Sequence, residues 1–415
     1  MSIRLAQKFA VLLLVLAVSA CGSRMSQPTV GQYRATLHLP GGEVPFGMEI
    51  AQANQSFVLY LVNGSERTQV SNVTIEDGQL RAAFPGYENS LRADIYADRL
   101  AGSVTLIKAG GVEQVIPFEA RLGQTHRFFE DAVTDNADIA GRWSVAFTDD
   151  DGTESKAVAL FEQQHDRITG TVMTPTGDHR FLEGQIRNNE VWLSTFAGGL
   201  PYLYKLRVDA GGTLQGEYWQ GLKSHEKLTA SRNEDAVLVD PESLTTMKDD
   251  IDRFDFTFRD LDGQPVSLSD QRFRNKVVVV TLGGSWCPNC HDEAMFLAPF
   301  YAAHREQGFE VIALMFERHG DFTKAAAAAR RFKEDLGVQY TTLIAGISDK
   351  DEASKALPGL SGVYGYPTAI FIDRQGKVRK IHTGFTGPAT GRHYEELVDE
   401  FSHFVDELLA ESVDT

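Results

Sequence analysis

Cys287 and Cys290 sit in Trp286-Cys287-Pro288-Asn289-Cys290, after the apolar run Val277–Leu282 and before the helix-compatible stretch His291–Leu297. A strand that runs into a Cys-x-x-Cys turn opening a helix is suited to redox chemistry. The helix start offers unpaired backbone N–H groups and a positive dipole end, and both favour a thiolate on the first cysteine. The second cysteine, one helical turn on, is placed to close a disulfide. Zinc uses the same spacing but needs a second pair of Cys or His ligands. The only other cysteine in the chain is Cys21, so the pattern favours thiol–disulfide exchange and no metal site is expected.

Cys21 has a different setting. Met1–Lys8 carries Arg4 and Lys8, and Phe9–Val18 is an apolar stretch long enough for a signal peptide and too short to cross a bilayer. The run Val18-Ser19-Ala20-Cys21-Gly22 resembles a bacterial lipobox. Residues 1–20 are then a lipoprotein signal peptide, and Cys21 is lipidated at the head of a tether over residues 21–30. An ordinary signal peptide cut nearby is the alternative. Two acyl chains anchor a protein stably where one is marginal, so the membrane is an expected partner. The chain is expected on the extracytoplasmic, periplasmic side without a transmembrane helix. Gly22 after the cysteine resembles the pattern released to the outer membrane rather than the inner one. With Cys21 removed, both remaining thiols belong to one motif, which is chemical rather than structural. A formal charge of −17 leaves no basic surface for nucleic acid.

The elements that must hold the dithiol follow from patterning. Residues 31–232 read as all-β: alternating runs such as Arg34–Leu39, Phe57–Val62 and Val191–Phe196 are broken by Pro40-Gly41-Gly42, Asn63-Gly64, Asp77-Gly78 and Gly211-Gly212. A repeat is visible at an offset of roughly 110 residues. Gly31-Gln32-Tyr33 aligns with Gly141-Arg142-Trp143, Asp77-Gly78-Gln79-Leu80 with Asn188-Asn189-Glu190-Val191, Phe84-Pro85-Gly86 with Phe196-Ala197-Gly198, and Leu100-Ala101-Gly102 with Leu214-Gln215-Gly216. Two antiparallel units are expected, 31–123 and 139–232, as separate sandwiches or halves of one larger barrel, joined by a polar linker at 124–138. An acidic linker, 233–250, follows. From 251 to 412 the texture alternates strand and helix: strands at Phe254–Arg259, Lys276–Leu282, Phe309–Phe316, Tyr340–Ala345, Thr368–Ile372 and Lys377–Thr383, with helices at Asn289–Glu306, Phe322–Leu336 and Tyr394–Ala410. The whole is multidomain: an all-β region followed by an α/β unit.

That last unit resembles the thioredoxin fold of the TlpA/ResA type, the membrane-anchored extracytoplasmic thiol–disulfide oxidoreductases, over roughly two-fifths of the chain. The resemblance rests on Asp260-Leu261-Asp262-Gly263 with Val266-Ser267-Leu268-Ser269, and on Lys276–Val280 leading into the Cys pair. It rests also on Glu293, and on Gly365-Tyr366-Pro367-Thr368 with Phe371-Ile372-Asp373 and Gly376. It implies that Pro367 is cis and faces the dithiol, with the Tyr366 backbone free to pair with an extended substrate strand. Tyr366 is bulkier than the family's usual residue there. The resemblance also places an acid, Glu293, beneath the site as proton carrier for the resolving thiol; Thr281 stands where thioredoxins proper carry a buried aspartate. Gly283-Gly284-Ser285 replaces a bulkier approach, so a more open shelf before Trp286 is expected. His291 reads as a surface side chain, and His319, His382, His393 and His403 as structural or exposed.

The expected cycle is nucleophilic attack by Cys287, docking along Trp286, Tyr366 and Pro367, and resolution by Cys290 with Glu293 as proton acceptor and donor. No cofactor is required beyond the Cys287–Cys290 disulfide itself. The expected partners are disulfide-containing envelope proteins and an upstream dithiol electron donor, with the redox unit swinging on the second linker. Three rivals stand beside this. A peroxiredoxin-like peroxidase would want Thr where Gly284 lies. A copper-binding protein would space its cysteines by three and add a distant His. The β region could instead be an envelope binding module with a secondary redox unit.

Overall fold

The computed structural model describes residues 23–411 apart from 55, 71, 132–135, 250 and 252. The signal segment and Cys21 lie outside the described residues. Among the described residues no helix is long and apolar enough to cross a membrane.

Residues 31–122 form a nine-stranded antiparallel sheet whose outermost strands, Glu66–Val70 and Val73–Glu76, are consecutive in the chain but unpaired with each other. Alternate residues such as Phe46, Met48 and Ile50 on Gly42–Ala53 supply one core. Residues 141–232 form a second nine-stranded sheet, and here Glu154–Gln164 pairs with both Gly141–Thr148 and Arg167–Thr174. That double pairing closes a ring and removes its edges. Trp143, Tyr204, Leu193 and Ile186 fill the interior. The short strand Gly177–Asp178 hangs outside the ring on Arg167–Thr174. The arrangement is therefore neither two sandwiches nor two halves of one barrel. The two sheets meet along a packed seam, where Phe196, Leu203 and Trp219 of the second join the core of the first.

Described parts of both stretches expected to be linkers, around residues 127–129 and 242–248, are strapped down. Arg127 is buried; its guanidinium donates to Asn63 Oδ1 (2.8 Å) and to the Ser194 carbonyl (3.1 Å), with Glu183 at 3.5 Å. The backbone N–H groups of Phe128 and Phe129 both donate to Gln185 Oε1. In the acidic stretch, Lys248 N–H donates to the Gly359 carbonyl and Ser361 N–H to the Thr246 carbonyl. Thr245 is fully buried there, and Glu242 pairs with Lys380 at 2.7 Å. The redox unit thus does not swing on a free tether. Composition alone marked these segments as polar; it does not show that their backbone groups find partners on both sides.

The third unit is a seven-stranded mixed sheet in the order Pro265–Ser267, Thr257–Asp260, Thr341–Ile347, Phe309–Glu317, Val277–Gly283, Thr368–Ile372, Val378–Thr383. Helices Pro288–His304, Phe322–Asp335, Lys350–Ala356 and Arg392–Ala410 flank it, giving a thioredoxin fold. Val277–Gly283 is buried throughout: Val278, Val280 and Leu282 face one core, Val277 and Val279 the other. A strand covered on both faces needs this unbroken apolar run. The first strand starts at Thr257 rather than Phe254, whose ring packs with Phe256 instead. Lys350–Ala356 went unforeseen because it is too short to show helical periodicity, although Asp349 caps it through the N–H groups of Asp351 and Glu352.

Replacing Arg127 by Ala strands the buried Asn63 and Ser194 acceptors, while Glu183 keeps Arg167 at 2.9 Å. The urea midpoint is expected to fall by the equivalent of about 1–3 kcal/mol, read by far-UV circular dichroism.

Candidate active site

Strand Val277–Gly283 delivers the chain to the dithiol through two glycines, the first tightly packed and the second with no room for a side chain. A Cβ at Gly283 would stand 3.2 Å from Cys290 Sγ, and one at Gly284 would stand 2.6 Å from the Phe316 carbonyl oxygen, close against the Trp286 indole. The shelf expected to be open is therefore filled. Trp286 donates its indole N–H to that same carbonyl at 2.8 Å, meets Tyr366 edge-on at 5.8 Å, and carries the Arg318 guanidinium over its face at 4.0 Å.

Cys287 is the N-cap of helix Pro288–His304, and its Sγ accepts from the Cys290 backbone N–H at 3.4 Å. Pro288 opens the helix, where its missing N–H costs nothing. Both sulfurs are free thiols and both are buried, at 5% and 4% exposure. Across from them the Tyr366–Pro367 peptide is cis, and the Tyr366 carbonyl oxygen lies 3.8 Å from Cys287 Sγ. The structure thus brings Trp286, Cys287, Cys290, Tyr366 and Pro367 together. The Tyr366 ring is also buried, against Phe316 at 5.6 Å.

Glu293 lies one turn beyond Cys290 and is buried rather than partly exposed. Burial alone pushes its carboxyl from 4.5 up to about 8. Burial also pushes the Cys290 thiol well above its ordinary value, and the nearby Cys287 sulfur and Glu293 carboxyl act in the same direction. Glu293 lines a small cavity of about 20 Å³ with His382, Phe385 and Phe401, room for a single water.

Other residues near the dithiol escaped the sequence reading. Glu317 is fully buried at the end of strand Phe309–Glu317 and accepts from Ser285 N–H (3.0 Å) and Ser285 Oγ (2.7 Å). Burial pushes it up to about 7 against those two bonds. An acid closing an apolar strand was its only signal. His291 is not a surface side chain. Its Nε2 lies 2.7 Å from the Ser285 carbonyl oxygen, its ring stacks on Tyr87 of the first sheet at 3.8 Å, and burial drives its pKa down to about 3. His319, from the same unit, sits 3.0 Å from Glu88 of the first sheet.

The Redoxin family profile matches residues 249–397. The thiol-disulfide oxidoreductase ResA of Geobacillus thermodenitrificans (strain NG80-2) is 30% identical over 144 residues, 34% of this chain and 74% of that protein. This chain belongs to the ResA family of thiol–disulfide oxidoreductases. A second ResA, from Bacillus thuringiensis (strain Al Hakam), is 30% identical over 123 residues, 30% of this chain and 62% of that protein. This chain thus spans under two thirds of the length of some of these relatives. A solved thiol:disulfide interchange protein of the thioredoxin family from Chlorobium tepidum TLS is 20% identical, covering 38% of this chain and 96% of that one, with a TM-score of 0.29. The Redoxin match falls on the third unit; both β sheets lie outside it.

The Glu293 shift carries a sign for stability. An unfolded chain releases this proton near pH 4.5 while the folded one holds it to about pH 8, so stability falls as pH rises through that window and the full cost stands above it. Glu293→Gln removes the cost. The melting temperature of the variant should exceed that of the parent at pH 8.5 by more than it does at pH 5.

Proposed function

We propose that this protein reduces disulfides of envelope proteins through the Cys287–Cys290 pair, held to a membrane by lipid on Cys21 on the extracytoplasmic side. The observation that carries this reading is Cys287 Sγ at the mouth of a helix, 3.8 Å from the Tyr366 carbonyl. A client strand pairing with that backbone would bring its disulfide to the sulfur.

The Cys287 thiolate attacks one sulfur of the client disulfide. A mixed disulfide forms, and the client's second sulfur leaves as a thiolate that takes up a proton. Cys290 then gives its proton to ionised Glu293 and attacks Cys287 Sγ; the client's remaining sulfur leaves as a thiolate that takes a proton from water, so that the client departs with two thiols and the enzyme holds the Cys287–Cys290 disulfide. An upstream dithiol donor resets the cycle, with protonated Glu293 returning its proton to Cys290. No organic cofactor or metal takes part. Trp286, Tyr366 and Pro367 form the docking wall. The segment Gly22–Val30 spans at most about 30 Å when extended, which keeps the β region close to the membrane.

The two sheets are read as a repeated unit carrying the redox unit. Supporting this, Tyr33 Oη donates to the Thr29 carbonyl and Trp143 Nε1 to the Ile139 carbonyl, each four residues back. Asp77-Gly78 and Asn188-Asn189 are both turns with two positive φ values. A Cβ at Gly102 or at Gly216 would strike a neighbouring strand's carbonyl oxygen at 2.0 Å in each case.

Cys290→Ala should arrest the cycle at the mixed disulfide, so that client proteins appear on non-reducing gels as adducts released by dithiothreitol. Cys287→Ser should form no adduct; adducts formed equally by both variants would sink the assignment of the nucleophile. In the parent, the release step should accelerate as pH rises through about 8, where Glu293 ionises. Glu293→Gln should be slower by about a hundredfold and lose that rise, as read by stopped-flow tryptophan fluorescence.

A further inference from the structure

Three loops frame Cys287: Trp286–Asn289, Gly365–Pro367, and the segment from Gly384 to Gly387. A turn from the second β sheet lies across all three. It leaves the ring at Thr174, forms the short strand Gly177–Asp178 and returns through Arg180. Gly177 makes a parallel β-bridge with Phe385. Gly387 N–H donates to Asp178 Oδ1 at 2.6 Å, and Asp178 N–H donates to Asn289 Oδ1, inside the Cys-x-x-Cys turn, at 3.4 Å.

The contact is too close for side chains on either partner. A Cβ at Gly365, next to Tyr366, would lie 2.2 Å from Thr176 Cγ2; one at Gly384 would lie 2.7 Å from the Pro175 carbonyl oxygen; one at Gly177 would lie 2.0 Å from Asn289 Nδ2. Arg180 then pins the turn. Its Nη1 donates to both carboxylate oxygens of Asp292 at 2.9 and 2.8 Å, and its Nη2 reaches Glu66 of the first sheet at 2.5 Å. Tyr87, stacked on His291, closes another side.

Backbone bridging, here to Phe385, a glycine-lined approach, and contact with Gly365, two residues before Pro367, are what a docked client strand would need. We propose that residues 175–180 are a resident occupant of the client groove: the chain holds its own dithiol closed, and a client reaches Cys287 only when this turn lifts. The inference rests on the groove being the client site, as in the reading above. The mechanism needs the opening, because Cys287 is 5% exposed and Tyr366 7%. An incoming disulfide has no line of approach while the turn is seated.

The test uses the reduced full-length chain and iodoacetamide, with carbamidomethylation of Cys287 followed by mass spectrometry. The parent is expected to react at least about a hundredfold more slowly than in urea, because reaction waits on a local opening. Arg180→Gln releases the clasp and should accelerate labelling by about tenfold. Thr176→Gly, which removes the methyl seated on Gly365 together with the hydroxyl that faces Thr174, should accelerate it by a smaller factor. Removing a cation near a thiol would by itself slow alkylation, so acceleration reads opening rather than electrostatics. Arg67→Gln, at an exposed pair with Glu49, should leave the rate unchanged. If Arg180→Gln loses its cooperative melt, Thr176→Gly decides alone. Parent labelling as fast as in urea, or folded variants that label at the parent rate, would overturn the proposal. Insulin reduction separates the two readings. Faster labelling with no disulfide reduction by any variant keeps the cover and removes the client reading; free labelling with full activity in the parent does the reverse.

Discussion

A guanidinium buried where three units meet must be neutralised by whatever surrounds it, and at Arg180 each unit contributes. The arginine comes from the second sheet, Glu66 from the first and Asp292 from the helix that carries the Cys pair. Burial works against the charge, and the two carboxylates outweigh it, holding the group well above the usual arginine value. None of the three side chains is tolerable in this place without the others, since an unpaired buried charge costs several kcal/mol. The relative placement of the sheets and the redox unit follows from that constraint. The Tyr87–His291 stack and the Glu88–His319 contact fit around it.

The same exclusion of water shapes the thiol chemistry. Cys290 and Glu293 share an apolar interior, and burial raises both in the protonated direction. A buried carboxyl beside a buried thiol places a proton acceptor within reach of the sulfur. Cys287 differs by position alone. It caps the helix, meets the Cys290 N–H and faces the Tyr366 carbonyl. One turn of helix thus separates a sulfur that caps the helix from one that lies within it.

The β region contributes more than mass. Its second ring needs no edge protection, since it closes on itself, and the one strand left outside, Gly177–Asp178, is spent on the redox unit. A short two-residue strand with glycine at its head pairs where a longer one would clash. Gly365 has its reason here, and Gly384, whose own φ of 92° already favours glycine, has a second one.

The local chemistry was legible from residues in series. Cys287, Cys290, the apolar strand before them, Glu293 and Pro367 are read from spacing and from a family likeness confined to one unit, because a strand–turn–helix and its caps depend on neighbours in the chain. The alternation of residues 31–232 likewise declares β structure, since a strand's period is local. What the chain could not declare is which surfaces meet. His291 and Asp292 read as ordinary helix residues, Arg180 as one arginine among many, and residues 233–250 as a loose tether. The contacts they make reach partners more than a hundred positions away, and only tertiary packing removes the water that would otherwise leave His291, Asp292 and Arg180 unremarkable.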